Sequence, residues 1–168
     1  FVNHTGPRTI VAGEGLCISE AAMQSQAADV ITPAGARVEE LGTWTVVNDL
    51  NVGDESDGHV YITTGSLVDV GTTLYIRNIA LDETHSASLN VDGTAFDDTR
   101  SLLRASQVLV DGNLPLVAPA GQATLQITGG GRAEVTGVVV GATSNATNEV
   151  IVSGANMNQT LKSELDVS

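Results

Sequence analysis

The fold class this sequence predicts is all-β: a parallel β-solenoid (β-helix) of stacked coils with a short N-terminal helix or cap. Three observations predict it. Hydrophobic residues fill 42% of the 168 positions, yet aromatic residues fill only 3%. The core must therefore be built from Val, Ile, Leu and Ala, which suits thin layers of a few mid-sized aliphatics. Eighteen glycines suit tight corners where φ is positive. Third, two distant stretches match through strands and corners together. Residues 59–76 align with residues 124–140: Val60 on Leu125, Ile62 on Ile127, Gly65 on Gly130, Asp69 on Glu134 and Val70 on Val135. After one deletion Leu74 and Ile76 fall on Val138 and Val140. A β-sandwich is the fallback, since many short strands with turn signals also fit it.

Residues 1–41 read as an N-terminal arm and cap. Within them residues 18–28 are expected to be helical, with Ser19 as N-cap and Glu20, Ala21, Ala22, Met23 and Gln24 as good helix formers. Residues 42–168 read as the coils, with a less regular insert around 82–122. A second helix candidate, residues 98–107, lies in that insert and contains Leu102, Leu103 and Arg104. The expected unit is a strand with Val60 and Ile62 inward, a corner at Gly65, a strand with Val68 and Val70 inward, a turn after Gly71, and a strand with Leu74 and Ile76 inward. Partial copies flank it. Residues 44–53 repeat the second half, and Leu50-Asn51-Val52 precedes Leu74-Tyr75-Ile76 by 24 residues. Residues 89–94 and 150–155 repeat the first half, and Leu165-Asp166-Val167 falls where a closing strand belongs.

Three strings carry a family resemblance. They are Gly42-Thr43-Trp44-Thr45-Val46 with Asp49-Leu50-Asn51-Val52-Gly53, Ile127-Thr128-Gly129-Gly130-Gly131 with Val138-Val139-Val140-Gly141, and Val150-Ile151-Val152-Ser153-Gly154-Ala155-Asn156. They resemble the repeats of autotransporter-passenger-type β-solenoid proteins of bacterial surfaces. The resemblance covers roughly residues 42–76 and 123–168 and implies a scaffold architecture without implying an activity. The chain is short for that group, and residues 1–41 and 82–122 repeat poorly.

Seven basic against 20 acidic residues leave a net charge of −13, and Lys162 is the only lysine. Such a surface repels phosphate backbones and anionic bilayers, so neither nucleic acid nor membrane binding is expected. No apolar run approaches the roughly 18 residues of a membrane span. The chain begins with Phe1, so a processed product or a piece of a longer chain is expected, secreted or at the cell surface. Cys17 is the only cysteine; it reads as a small buried hydrophobe or as a partner in an intermolecular disulfide. Asn3, Asn145 and Asn158 each open an N-x-T glycosylation pattern.

No catalytic constellation is legible. His4, His59 and His85 lack a nucleophile elbow, no His/Cys cluster has zinc spacing, and no helix pattern follows Gly129-Gly130-Gly131 to make a phosphate cradle. The expectation is therefore not an enzyme, and no cofactor is called for. Asp54, Glu55 and Asp57 form a compact acidic turn that is a Ca²⁺ candidate, the alternative being a solvated hairpin. The expected role is a self-assembling extracellular structural subunit, a homo-oligomer or homopolymer stacked end to end. Phe1 and Val2 on an extended arm, and Leu165 and Val167 at an uncapped coil, are the assembly candidates. A monomeric or trimeric adhesin or decoration module, and a polysaccharide-acting β-helix enzyme, are the alternatives.

Overall fold

The computed structural model describes residues 8–10, 16–19, 22–25, 28–30, 35–54, 57–78, 85–112, 121–141 and 147–168. Among them the regular secondary structure is strand: β1 (Arg8–Ile10), β2 (Leu16–Ser19), β3 (Ala22–Ser25), β4 (Ala28–Val30), β5 (Ala36–Glu39), β6 (Thr43–Val46), β7 (Leu50–Asp54), β8 (Gly58–Thr63), β9 (Leu67–Asn78), β10 (Ser86–Asp92), β11 (Leu102–Gly112), β12 (Gln122–Thr128), β13 (Arg132–Val140), β14 (Thr147–Val152) and β15 (Glu164–Val167).

The strands form two sheets. One runs β14-β12-β10-β8-β5-β2. The other follows β1-β4-β7-β9-β11-β13-β15, with β3 and β6 pairing beside β9. Every ladder between these strands is parallel, which is not the antiparallel pairing of an immunoglobulin-type sandwich. The chain passes once through the six-stranded sheet and once across the larger one before it returns one strand spacing further on. The long strands β9, β11 and β13 cross the larger sheet without a break. In the preceding circuit, by contrast, β6 and β7 are separated by a turn at residues 47–49.

Register follows from what each strand must bury. Alternate residues point inward, as in the alternating buried and half-buried positions of β8, β10 and β12. Parallel pairing, with one bulge between Ala105 and Gln107 where β11 meets β9, then stacks inward residues into columns. Ala36, Val60, Leu89, Leu125 and Val150 form one. Trp44, Val68, Leu103, Ala133 and Leu165 form another. Leu50, Leu74, Val108 and Val138 form a third. Most of these side chains are fully buried in one continuous core. At roughly 1.5–3 kcal/mol per buried aliphatic side chain, the columns are the main favourable term holding the sheets together.

Two corners explain individual residues. A Cβ on Gly71 would lie 2.1 Å from the Val47 carbonyl oxygen, so only glycine lets this strand pass under the turn of the circuit before it. Asp49 anchors that turn: its carboxylate accepts hydrogen bonds from the Thr73 N–H at 3.0 Å and from the Thr72 hydroxyl. At the opposite corner Glu40 and Leu41 have φ of 53° and 60°. The Gly42 N–H closes that turn on the Glu39 carbonyl at 3.0 Å.

Among the described residues of 18–28 the expected helix is not formed. Those described residues belong to β2, β3 and β4, where Ile18 pairs with Val38 and Met23 with Trp44. The helix candidate at 98–107 is likewise replaced by β11, whose Arg104 and Ala105 pair with Asp69 and Val70 on one side and Glu134 and Val135 on the other. Pairing, with β5 for β2, with β6 for β3 and on both sides for β4 and β11, outweighs tenths of a kcal/mol of helix propensity. The stretch around 82–122, read as a less regular insert, supplies β10 and β11, which pair on both sides in the two sheets.

Truncating Leu89, fully buried between Val60 and Leu125, to alanine is expected to cost about 2–5 kcal/mol. Urea denaturation checks this. Gly71→Ala is expected to destabilise the fold as well, because backbone must move to admit the methyl group.

Candidate functional site: a cleft between two loops and an open end

At one corner the connections alternate in length. Residues 64–66 join β8 to β9 and residues 129–131 join β12 to β13, whereas residues 93–101 and 153–163 make long loops after β10 and β14. Each long loop is pinched by an isolated antiparallel bridge, Thr94 with Arg100 and Ala155 with Lys162. Each is also closed by a serine at its base. The Ser101 hydroxyl donates to the Asp92 carbonyl at 2.7 Å and accepts the Gly65 N–H at 3.1 Å. The Ser163 hydroxyl repeats the pattern, donating to Ser153 at 2.7 Å and accepting the Gly130 N–H at 3.1 Å. One hydroxyl thus shuts its own loop and satisfies the glycine corner of the circuit below.

Between the loops lies a cleft of about 810 Å³. Its walls include Asp92, Thr94 and Asp98 from the first loop region and Asn156, Asn158 and Gln159 from the second. Thr63, Thr64 and Gly129 complete the lining from the short corners. Phe96 and Met157 also line it, and both are fully exposed, at 109% and 99%. The loops are tied together: buried Asn156 donates from Nδ2 to the Asp98 carboxylate at 3.0 Å. Its Oδ1 accepts the N–H groups of Thr160 and Leu161 at 2.9 and 3.0 Å. Asp98 and Gln159 hold φ of 65° and 58°, an uncommon backbone geometry for non-glycine residues. Gly129 keeps the floor low, since a Cβ there would lie 2.6 Å from Asp92 Oδ1. At the first loop's tip, the Thr99 hydroxyl and N–H hold the Asp97 carboxyl below the usual carboxylate range.

A second feature is the end of the sheets at β14 and β15. These strands are the last of their sheets, and β15 pairs only with residues 132–135 of β13. Among the described residues nothing pairs with the far edge of β14, of β15 or of Val138–Val140. Val139, Val140, Val152 and Val167 are 53%, 43%, 42% and 53% exposed there. Val140, Val152 and Val167 continue the inward columns of Val110, Ile127 and Val135.

Next to this end a charge ladder crosses the outer face. Glu134 lies between Arg104 Nε at 2.9 Å and Arg132 Nε at 3.3 Å. Arg132 also reaches Asp166 at 3.0 Å, and Arg100 pairs with Glu164 at 2.7 Å. The Asp166 hydrogen bond raises the pKa of Arg132, so this guanidinium stays charged. The pairs are partly exposed, and each contributes at most about 1 kcal/mol.

The residues singled out from sequence distribute as follows. Leu165 packs against the core, and Val167 sits on the open edge. Asn158 is exposed on the cleft-lining loop. Asp57 turns toward the next circuit, accepting the Ser86 N–H at 2.7 Å and lying 3.8 Å from His85 Nδ1. Asp54 ends β7, but its side chain, Glu55, Phe1, Val2, Asn3 and Asn145 lie outside the described residues. Among the described residues no group of three or more His, Cys, Asp or Glu could hold a metal ion. Cys17 stands in β2 opposite Arg37. No described helix is long and apolar enough to cross a membrane. Comparison with protein-family models, with curated proteins and with solved structures gives no match.

Ser101→Ala strands the Gly65 N–H and the Asp92 carbonyl together, and is expected to cost about 1–3 kcal/mol by chemical denaturation. For Asp97 the folded pKa is the lower one, so its contribution is present at neutral pH and lost as pH falls through and below about 3.9. An NMR titration is expected to show its midpoint below the ordinary aspartate value of about 3.9, and Thr99→Ala is expected to move that midpoint up.

Proposed function

We propose that this chain is a parallel β-solenoid of extracellular, structural type, a secreted or cell-surface subunit that assembles end to end with further copies of itself. The observation that carries this reading is the open end formed by β14, β15 and the second half of β13. Exposed parallel edges are templates for another strand, and folds that stay apart block them with lysine, proline or a covering loop. Here the charges of β14 and β15, such as Glu149 and Asp166, sit at outward positions. Of the inward positions, Val150 and Leu165 pack against the core, while Val152 and Val167 stand about half open to water. The surface that fits such an end is another parallel rung with alternate aliphatics at the same spacing. The chain's own circuits have that form, and β1 belongs to the column that stops at Val138–Val140. A second copy is the occupant this geometry favours. The resemblance to passenger-type repeats supports the same scaffold role, without catalysis.

The test is electron microscopy with light scattering on the purified protein near neutral pH. Filaments with an axial repeat in multiples of about 4.8 Å are expected. Val167→Asp is expected to reduce them to single particles with little change in melting temperature, since Val167 is already half exposed. A wild-type chain that stays monomeric at high concentration overturns the proposal.

A further inference from the structure

We infer that the cleft between residues 93–101 and 153–163 is a binding site for a neutral oligosaccharide. The inference does not depend on how the ends of the molecule assemble.

The chemistry of the walls selects the ligand class. The charged residues that line the cleft are Asp92 and Asp98, with no lysine, arginine or histidine among the lining. A chain with net charge −13 and carboxylates in the cleft repels phosphate, sulfate and uronate groups. The remaining polar lining consists of amides and hydroxyls, from Asn156, Asn158, Gln159, Thr63, Thr64 and Thr94. Carboxylate and amide groups offer paired or mixed donor and acceptor atoms that match the neighbouring hydroxyls of a sugar ring. Phe96 supplies what a hydroxyl cannot, a fully exposed aromatic face. That face carries partial negative charge and attracts the polarised C–H groups on the apolar side of a pyranose. Met157, equally exposed across the cleft, adds a polarizable apolar contact.

The backbone argues against an extended peptide. Several loop amides are used internally: Ala95 N–H bonds Thr99, Ser101 N–H bonds Gly93, Asn156 N–H bonds Leu161 and Ser163 N–H bonds Gly154. The loops therefore offer little free strand edge for a peptide to extend, and recognition falls to side chains. The cleft is also formed before a ligand arrives. The Asn156–Asp98 hydrogen bond ties one loop to the other, and the two serines clamp both loops at their bases. The volume of about 810 Å³ lies within the range of pre-formed small-ligand sites, roughly 300–1,000 Å³, enough for a few sugar rings.

Both exposed apolar residues can be changed without touching the core, which makes the test clean. Isothermal calorimetry and ¹⁵N NMR would be run on the Val167→Asp variant and on the wild type. The probes are cellohexaose, maltohexaose, xylohexaose and mannohexaose, with trigalacturonate as an anionic control and a Lys/Phe heptapeptide as a cationic one. Saturable binding of at least one neutral probe is expected, with shifts at Asp92, Asn158 and Gln159. Phe96→Ala is expected to weaken it at least tenfold at unchanged melting temperature, and trigalacturonate to give no binding. Failure of every neutral probe, equal binding by Phe96→Ala, or preference for the anionic or the peptide probe overturns the site. None of these outcomes bears on filament formation.

Discussion

Parallel pairing in register, interrupted only by a bulge between Ala105 and Gln107 where β11 meets β9, is the constraint on which the rest of this structure depends. A strand that pairs in register places its inward residues directly over those of the strand before it, and a slip of one residue would turn the whole apolar set outward. Once Val60, Leu89 and Leu125 share a column, each circuit must return to the same place. Changes in chain length are then absorbed at the corners, apart from the one extra residue of β9 taken up in its bulge against β11. Leu50 and Leu74 are 24 residues apart, and Leu74 and Val108 are 34, yet the columns are unbroken. Among the described residues, the longer connection at 93–101 stands outside as a loop. The cleft exists for this reason: two circuits carry long connections at a corner where the circuit between them carries a short one.

The same constraint fixes the residues at the corners. Close stacking leaves no room for a Cβ at Gly71, under the Val47 carbonyl, and Gly129, beside Asp92, holds a φ of 59° that favours glycine. It also buries backbone groups that need partners, and Ser101 and Ser163 provide them with one hydroxyl each. A solvated outer face and a dry inner one divide the labour. The arginine–carboxylate ladder around Arg132 adds local order on the outside, while aliphatic burial dominates the energy.

Much of this was legible in the sequence, and the reason is the columns themselves. The match of residues 59–76 with 124–140 joins circuits two steps apart, with Leu89 and Val91 in between. The 24-residue step from Leu50 to Leu74 is a direct pairing. The intervening circuit was harder to see because its nine-residue loop breaks the spacing and small residues such as Ala87 and Ala105 fill its core positions. The expected helices failed because local propensity carries no information about strands 20 to 35 residues away. The cleft was not legible for the same reason. Asn156 meets Asp98 across 58 residues, and Phe96 and Met157 read as ordinary loop residues until the fold puts them on one cleft. The long gaps between Asp92 and Leu102, and between Val152 and Glu164, were the available signal.

The central claim, column register, is tested most directly by a double-mutant cycle on Leu103 and Ala133, buried neighbours one circuit apart. Leu103→Ala opens a cavity and Ala133→Leu overpacks the layer beside it. If the two positions stack, the combined variant moves the leucine one rung along and recovers part of both losses, with a coupling of about 0.5–3 kcal/mol. Strictly additive losses in urea denaturation would place the two side chains apart and contradict the register.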